Sequence, residues 1–350
     1  WCEKMRFTER KREILKKVIV KFIEKAEPVS SQKIAKGLDL ELSSATIRKE
    51  MAGLEEMGYL THPHTSAGRI PTDRGYRYYV DNIIYEKPKL NVESKNNIPS
   101  INLVIDGDME IETILQRSSE LLAKVTNYLS MIVAPTIYQS KLRHIELLKF
   151  QEGNFILVLI TDTGRVYKRK FVARGPYNSL DLQRVTNILN LQLRERNIKD
   201  IDINSIKIPE SDAYLVLLIK KTIELIKSCE ENSILYNRIF VYGTCEVLQQ
   251  PEFIDLKKIQ NILSIIENEY LLIRMLLNLS KEKEFVIKIG SEISEEGADD
   301  LSLVASKYRI CGSSMGAIGI LGPKRMDYRK VVSVLNIFKE DLSDILDSRT

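Results

Sequence analysis

The chain has 350 residues, with 52 Lys and Arg against 48 Asp and Glu and a formal net charge of +4. That length allows two or three domains, each with its own packed core. The longest apolar runs, residues 155–160 and 213–219, stop far short of the ~18 residues that a membrane span requires, so no membrane association is expected. No basic segment followed by an apolar run and a small-residue cleavage site is read near the start, and a cytoplasmic location is expected.

The placement of charge says more than its size. Residues 1–85 carry 16 Lys and Arg against 12 Asp and Glu, which leaves the rest of the chain neutral. Positive charge gathered at one end suits a domain that faces phosphates, although a solvated helix also carries lysines. The cysteines Cys2, Cys229, Cys245 and Cys311 are scattered and read as reduced, mostly buried thiols. His62 and His64 flank Pro63 in a loop, and His144 stands alone in a strand-like run. Three or four converging ligands are needed for a metal, so neither metal nor cofactor is expected.

A helix begins at the hydroxyl of Thr8 and carries Ile14, Val18, Phe22 and Ile23 on one face, ending before Pro28. Ser30 or Ser31 caps a short second helix that stops at Gly37. Ser43 or Ser44 caps a third, residues 44–57, on which Ile47, Met51 and Leu54 recur at intervals of four and three. Residues 59–61 and 69–71, joined by a loop with Pro63 and Gly68, read as a short hairpin. Thr72 or Asp73 caps a tyrosine-rich fourth helix, whose Tyr76, Tyr78 and Tyr79 read as packing residues rather than stacking platforms.

Residues 86–100 have the composition of a linker. Beyond them, 111–129 is helical by pattern and 131–134 is a short strand. Residues 142–150, 155–161 and 165–171 form strands, the last two joined by a turn. Helices are expected at 179–196 and 213–227, and a strand at 238–242. A long helical stretch follows over 256–279, interrupted in character at Arg274. Strands at 285–289, 301–308 and 317–321 and a helix after Asp327 close the chain. Strands on both sides of a helical middle describe an α+β fold interrupted by an insertion. The expected domains are 1–85, a linker 86–100, one domain in two segments (101–175 and 250–345), and an insert over 176–249.

Chemistry is concentrated near the N-terminus. With Ile47, Met51 and Leu54 inward, Ala45, Lys49 and Ala52 face outward, with Thr46 and Arg48 beside them. Small residues allow close approach to bases, Arg48 offers a planar fork to guanine, and Lys49 reaches a base edge or a phosphate. Ser43 and Ser44, with the amides of the first turn, suit a phosphate oxygen. An ordinary capped amphipathic helix would show the same pattern. The hairpin tip favours a DNA-facing role, because His62, His64, Thr65, Ser66 and Arg69 are polar and basic, and Arg69 could follow a phosphate or enter a narrow minor groove. The glycine-rich run 311–323 lacks the G-x-G-x-x-G spacing and reads as a turn and a strand. Glu295, Glu296, Asp299 and Asp300 read as an acidic surface turn rather than an acid and base pair. No nucleophile, base and orienter come together, so the chain is not expected to be an enzyme.

Leu42-Ser-Ser-Ala-Thr-Ile-Arg-Lys-Glu-Met51, Leu54-Glu-Glu-Met-Gly-Tyr-Leu60, His64-Thr-Ser-Ala-Gly-Arg-Ile-Pro71 and Gly75-Tyr-Arg-Tyr-Tyr-Val-Asp81 together resemble the heat-inducible transcription repressor family HrcA. Gly316-Ala-Ile-Gly-Ile-Leu-Gly-Pro323 resembles the closing strands of that family's GAF-like domain. The resemblance implies an N-terminal winged helix-turn-helix, a GAF-like α+β domain and an inserted dimerisation domain. It further implies a homodimer on a double-stranded inverted-repeat operator, the CIRCE element, repressing heat-shock chaperone operons and kept active by the GroEL chaperonin. Two other readings stay open: a repressor whose GAF-like region binds a metabolite, and an enzyme with an appended DNA-binding head.

Overall fold

The computed structural model describes residues 7–35, 43–63, 68–84, 99–101, 109–134, 140–162, 164, 166–207, 213–231, 239–277, 285–310 and 314–348. Thr8 starts helix α1 (Glu9–Lys25), its hydroxyl accepting the Lys11 N–H at 3.3 Å. Ile14, Leu15, Val18 and Ile19 are buried. The helix stops when Ala26 turns left-handed at φ 55, two residues before Pro28. Helices α2 (Ser31–Ala35) and α3 (Ser44–Glu56) follow. A hairpin of β1 (Leu60–Thr61) and β2 (Ile70–Pro71) is registered antiparallel through Leu60↔Pro71 and Thr61↔Ile70. Thr72 caps helix α4 (Asp73–Tyr79), which runs into a π-helical turn, Val80–Ile84.

The body is built on a five-stranded antiparallel sheet. Helix α5 (Ile111–Thr126) leads into β3 (Leu129–Val133), whose five residues are all buried because both faces of the sheet are covered. The strand order is β7 (Ile239–Tyr242), β3, β10 (Ser314–Pro323), β9 (Leu301–Ile310), β8 (Phe285–Ile289). Side chains alternate between faces. Ile132, Val304, Ile318 and Ile320 share a core with α5 and the C-terminal helix α11 (Tyr328–Asp347). On the other face Met131, Val133, Leu303 and Ala317 pack with α9 (Leu256–Glu267) and α10 (Glu269–Leu277). The short α8 (Thr244–Leu248) adds Val247 to that second core.

The glycine-rich run supplies the strand β10 from residue 314 onward. A Cβ at Gly319 would come 2.5 Å from Leu276 Cδ2, and one at Gly316 would enter the ring of its cross-strand partner Tyr308. These glycines let a helix and an aromatic ring close on the strand. The expected helix over 256–279 is divided at Asn268 rather than at Arg274. The Asn268 side chain accepts the Leu271 N–H at 3.1 Å and starts α10, the usual competition of an Asn side chain with continued helix.

A second sheet stands apart from the first. Strands β4 (Leu142–Gln151), β5 (Asn154–Thr161) and β6 (Val166–Val172) form their own three-stranded sheet. Their inward residues Leu142, Ile145, Leu147, Phe155, Leu157 and Leu159 share a separate core with α6 (Ser179–Leu193) and α7 (Ala213–Glu231). Residues 142–172 therefore leave the segment 101–175, and β7 of the expected insert 176–249 returns to the main sheet. Alternation in these strands marks a face that needs apolar cover, without saying which helices provide it. Cys245, expected among the buried thiols, is exposed. Among the described residues no helix is long and apolar enough to cross a membrane.

Candidate nucleic-acid interface

Helix α3 owes its position to its two ends and its apolar stripe. Ser43 caps it, accepting the Thr46 N–H at 3.1 Å, and the two hydroxyls lie 2.9 Å apart. Ser44 Oγ is 3.1 Å from Ser31 Oγ, tying the starts of α2 and α3 together. Ile47, Met51 and Leu54 are buried against α1 and the hairpin. Lys11 on α1 donates to Glu50 on α3 at 2.9 Å. One side of α3 is thus fixed, and the other carries Ala45, Arg48 and Lys49 exposed, with Thr46 and Ser44 half-buried. Among the described residues neither Arg48 nor Lys49 enters an ion pair.

Ser43 and Ser44, expected to receive a phosphate, spend their hydroxyls on the cap and on Ser31; they shape the helix start. Arg69 is also engaged. Its backbone exchanges two 2.9 Å hydrogen bonds with Val29, and its Nε lies 2.6 Å from Glu55 Oε2 in the last turn of α3. His62 Nδ1 contacts the other oxygen of the same carboxylate. Burial works to raise the Glu55 pKa, but His62 and Arg69 outweigh it and hold the carboxyl below its ordinary range. A single carboxylate therefore gathers both arms of the hairpin onto α3. The residues His64, Thr65 and Ser66 lie outside the described residues.

Several contributors carry no local signal in the sequence. Lys11 and Glu50 are 39 positions apart. Arg74 donates to the Met57 carbonyl at 3.0 Å and lies over the Tyr59 ring at 4.7 Å, closing the end of α3 against α4. Thr72 both caps α4 and donates to the Gly58 carbonyl at 2.7 Å. Elsewhere, the acidic turn is a surface network: Glu295 pairs with Arg274, and Asp300 lies 2.9 Å from Lys258. An open cleft of about 810 Å³ runs past Lys257, Asn261, Tyr270 and Arg274 on the α9 and α10 side of the body.

Comparison with known proteins places the sequence in one family. The family profile described as HrcA protein C terminal domain matches residues 112–332. Proteins named heat-inducible transcription repressor HrcA are similar over nearly the whole chain. That of Pelotomaculum thermopropionicum is 35% identical over 347 residues, 98% of each chain. That of Halalkalibacterium halodurans is 36% identical, covering 97% of each. That of Carboxydothermus hydrogenoformans is 37% identical, covering 97% of this chain and 98% of its own. A crystal structure described as that of a hypothetical protein covers 98% of this chain and 99% of its own at TM-score 0.61 and 24% identity, a likeness of fold.

Proposed function

We propose, from the fact that this chain belongs to the HrcA family of heat-inducible transcription repressors, that its first 85 residues are a winged helix-turn-helix with α3 as the reading helix. The observation that carries this reading is the two-sidedness of α3: Ile47, Met51 and Leu54 are buried while Ala45, Arg48 and Lys49 are exposed. A helix of 13 residues is about 20 Å long and fits a major groove about 12 Å wide. Ala45 permits close approach, Arg48 meets a guanine edge and Lys49 a base or phosphate. Ser43, Ser44 and Thr46 set the helix start, and the α3 amides there face a phosphate. The hairpin is the wing, with Arg69 holding its base; His64, Thr65 and Ser66, which lie outside the described residues, are proposed as DNA contacts from the sequence alone.

In this reading the five-stranded unit is the GAF-like domain and the three-stranded insert joins two copies. A two-fold dimer matches an inverted repeat, here the CIRCE operator ahead of chaperone operons, and the protein acts in the cytoplasm. The GroEL chaperonin maintains the active repressor; when damaged proteins occupy the chaperonin, repression lapses. A stability change of only ~1–2 kcal/mol is enough to alter the functional population several-fold. The test is a footprint of the full chain on the promoters of its own chaperone operons, with and without chaperonin. Protection of an inverted repeat, strengthened by chaperonin, is expected. Absence of protection at every such promoter contradicts the reading.

A further inference from the structure

The reading helix is carried by a head that is bolted to the body. The apolar cluster is continuous across the junction, with Tyr76, Tyr79 and Val80 in the same core as Tyr328, Val331 and Leu335. Apolar contact is non-directional, so burial alone would hold the head without fixing its angle. Polar contacts at three separated points supply the direction. At the C-terminal end of α4, Arg77 engages Glu292 with Nε at 2.8 Å from Oε1 and Nη2 on Oε2, and Nη2 also donates to the Ile287 carbonyl at 2.6 Å. A forked Arg and carboxylate pair constrains orientation as well as distance. At the N-terminal end of α4, Asp73 lies 2.7 Å from Lys324 Nζ and accepts the Ser291 N–H at 3.3 Å. Gly290, at φ +51, makes that approach possible, since a Cβ there would fall 2.2 Å from the Asp73 carboxylate. The third point is the end of α1, where Arg325, itself paired with Glu252, donates to the Ile23 carbonyl at 2.8 Å.

None of these contacts involves α3, which packs on α1, α2 and β1 within the head. We infer that Arg77 and Asp73, through Glu292, Ser291 and Lys324, are positioning residues that fix the angle at which the body presents α3, and thereby set the half-site spacing the dimer accepts. This rests on the DNA-binding reading above. A tilt of about 10° about the joint carries a point about 20 Å away through about 3.5 Å, the length of one base-pair step. Small freedom at α4 is therefore enough to blur spacing.

The experiment measures affinity of the full chain for duplexes carrying the inverted repeat at its native separation, the same half-sites moved by one or two base pairs either way, and a single half-site. The native protein is expected to prefer one separation by tenfold or more. The double variant Arg77→Ala with Asp73→Ala should lose most of that preference, to threefold or less, while single half-site affinity stays within twofold. Glu292→Gln keeps shape and removes one charge, and should give an intermediate profile in a fully folded chain. Restoring opposite charge with Arg77→Glu and Glu292→Arg together should sharpen the profile relative to Arg77→Glu alone. A native spacing profile in folded Glu292→Gln and in the double variant overturns the inference, and so does an equal loss on single half-sites and full repeats. If the native chain binds no inverted repeat, the DNA-binding reading itself fails and this inference with it.

Discussion

Two glycines in helices of the head should respond oppositely to the same substitution. At Gly75 in α4 an alanine Cβ would lie 2.3 Å from the Tyr59 carbonyl oxygen, about 1 Å inside an ordinary C···O contact of ~3.3 Å. The helix must withdraw from the hairpin, and backbone is on the opposing side. That withdrawal strains the Thr72 N–H bond to the Tyr59 carbonyl at 3.2 Å and the Thr72 hydroxyl bond to Gly58 at 2.7 Å. Overpacking costs ~1–3 kcal/mol, against a helix-propensity gain of at most ~1 kcal/mol, for a net loss of about 2 kcal/mol once the weakened bonds are counted. At Gly53 in α3 the new Cβ would meet the Lys11 Cε at 3.3 Å, the far end of a flexible side chain. Lys11 can shift by a few tenths of an ångström, so the propensity gain survives and Gly53→Ala should be neutral to stabilising by ~0.5–1 kcal/mol. Thermal and urea melts of the full chain should show Gly75→Ala falling by several degrees, at ~2–4 °C per kcal/mol, and Gly53→Ala unchanged or raised. Equal shifts of the same sign for the two variants would refute the reasoning.

Four further outcomes follow from the same geometry. Arg48→Ala should weaken specific operator binding by ~1–3 kcal/mol with an unchanged melting profile, as titrations at fixed salt would register; undiminished affinity counts against the assigned reading face. Operator affinity should fall linearly in log–log terms with salt, by a slope of ~0.9 per phosphate neutralised, and a flat response would mean that the head does not touch the backbone. The Glu55 carboxyl is held below its ordinary pKa by His62 and Arg69 despite burial, so its contribution is complete above the unfolded value of ~4.3 and is lost as pH falls through the lower folded value. Glu55→Gln should therefore be less stable at neutral pH and lose less on acidification, which melts across pH 3–7 would measure. The Tyr76 hydroxyl is buried with no hydrogen-bond partner among the described residues, so Tyr76→Phe should be neutral or stabilising by up to ~1 kcal/mol; a clear fall in melting temperature would contradict that assignment.

Periodicity made the head legible because its helices bury only one stripe: Ile47, Met51 and Leu54 gave the face of α3, and Thr8, Ser43 and Thr72 act as caps in the structure. Partners distant in sequence were not legible. The roles of Arg69, held by Glu55, and of Ser44, held by Ser31, depend on chain segments brought together only by folding. The grouping of strands into sheets was hidden for a related reason: residues 142–172 alternate as any half-buried strand does, and only their shared core with α6 and α7 removes them from the main sheet. The joint between head and body is likewise invisible in the pattern, since Arg77 and Glu292 are 215 positions apart.

The most direct measurement places a photo-crosslinking side chain at Ala45, exposed in the first turn of α3, and another at Leu180 on α6, also exposed but far along the chain. On a duplex carrying the inverted repeat, the label at 45 should attach to bases within each half-site, and the label at 180 should attach to no base. Crosslinks from 180 with none from 45, in protein that still protects the operator, would show that another surface reads the DNA.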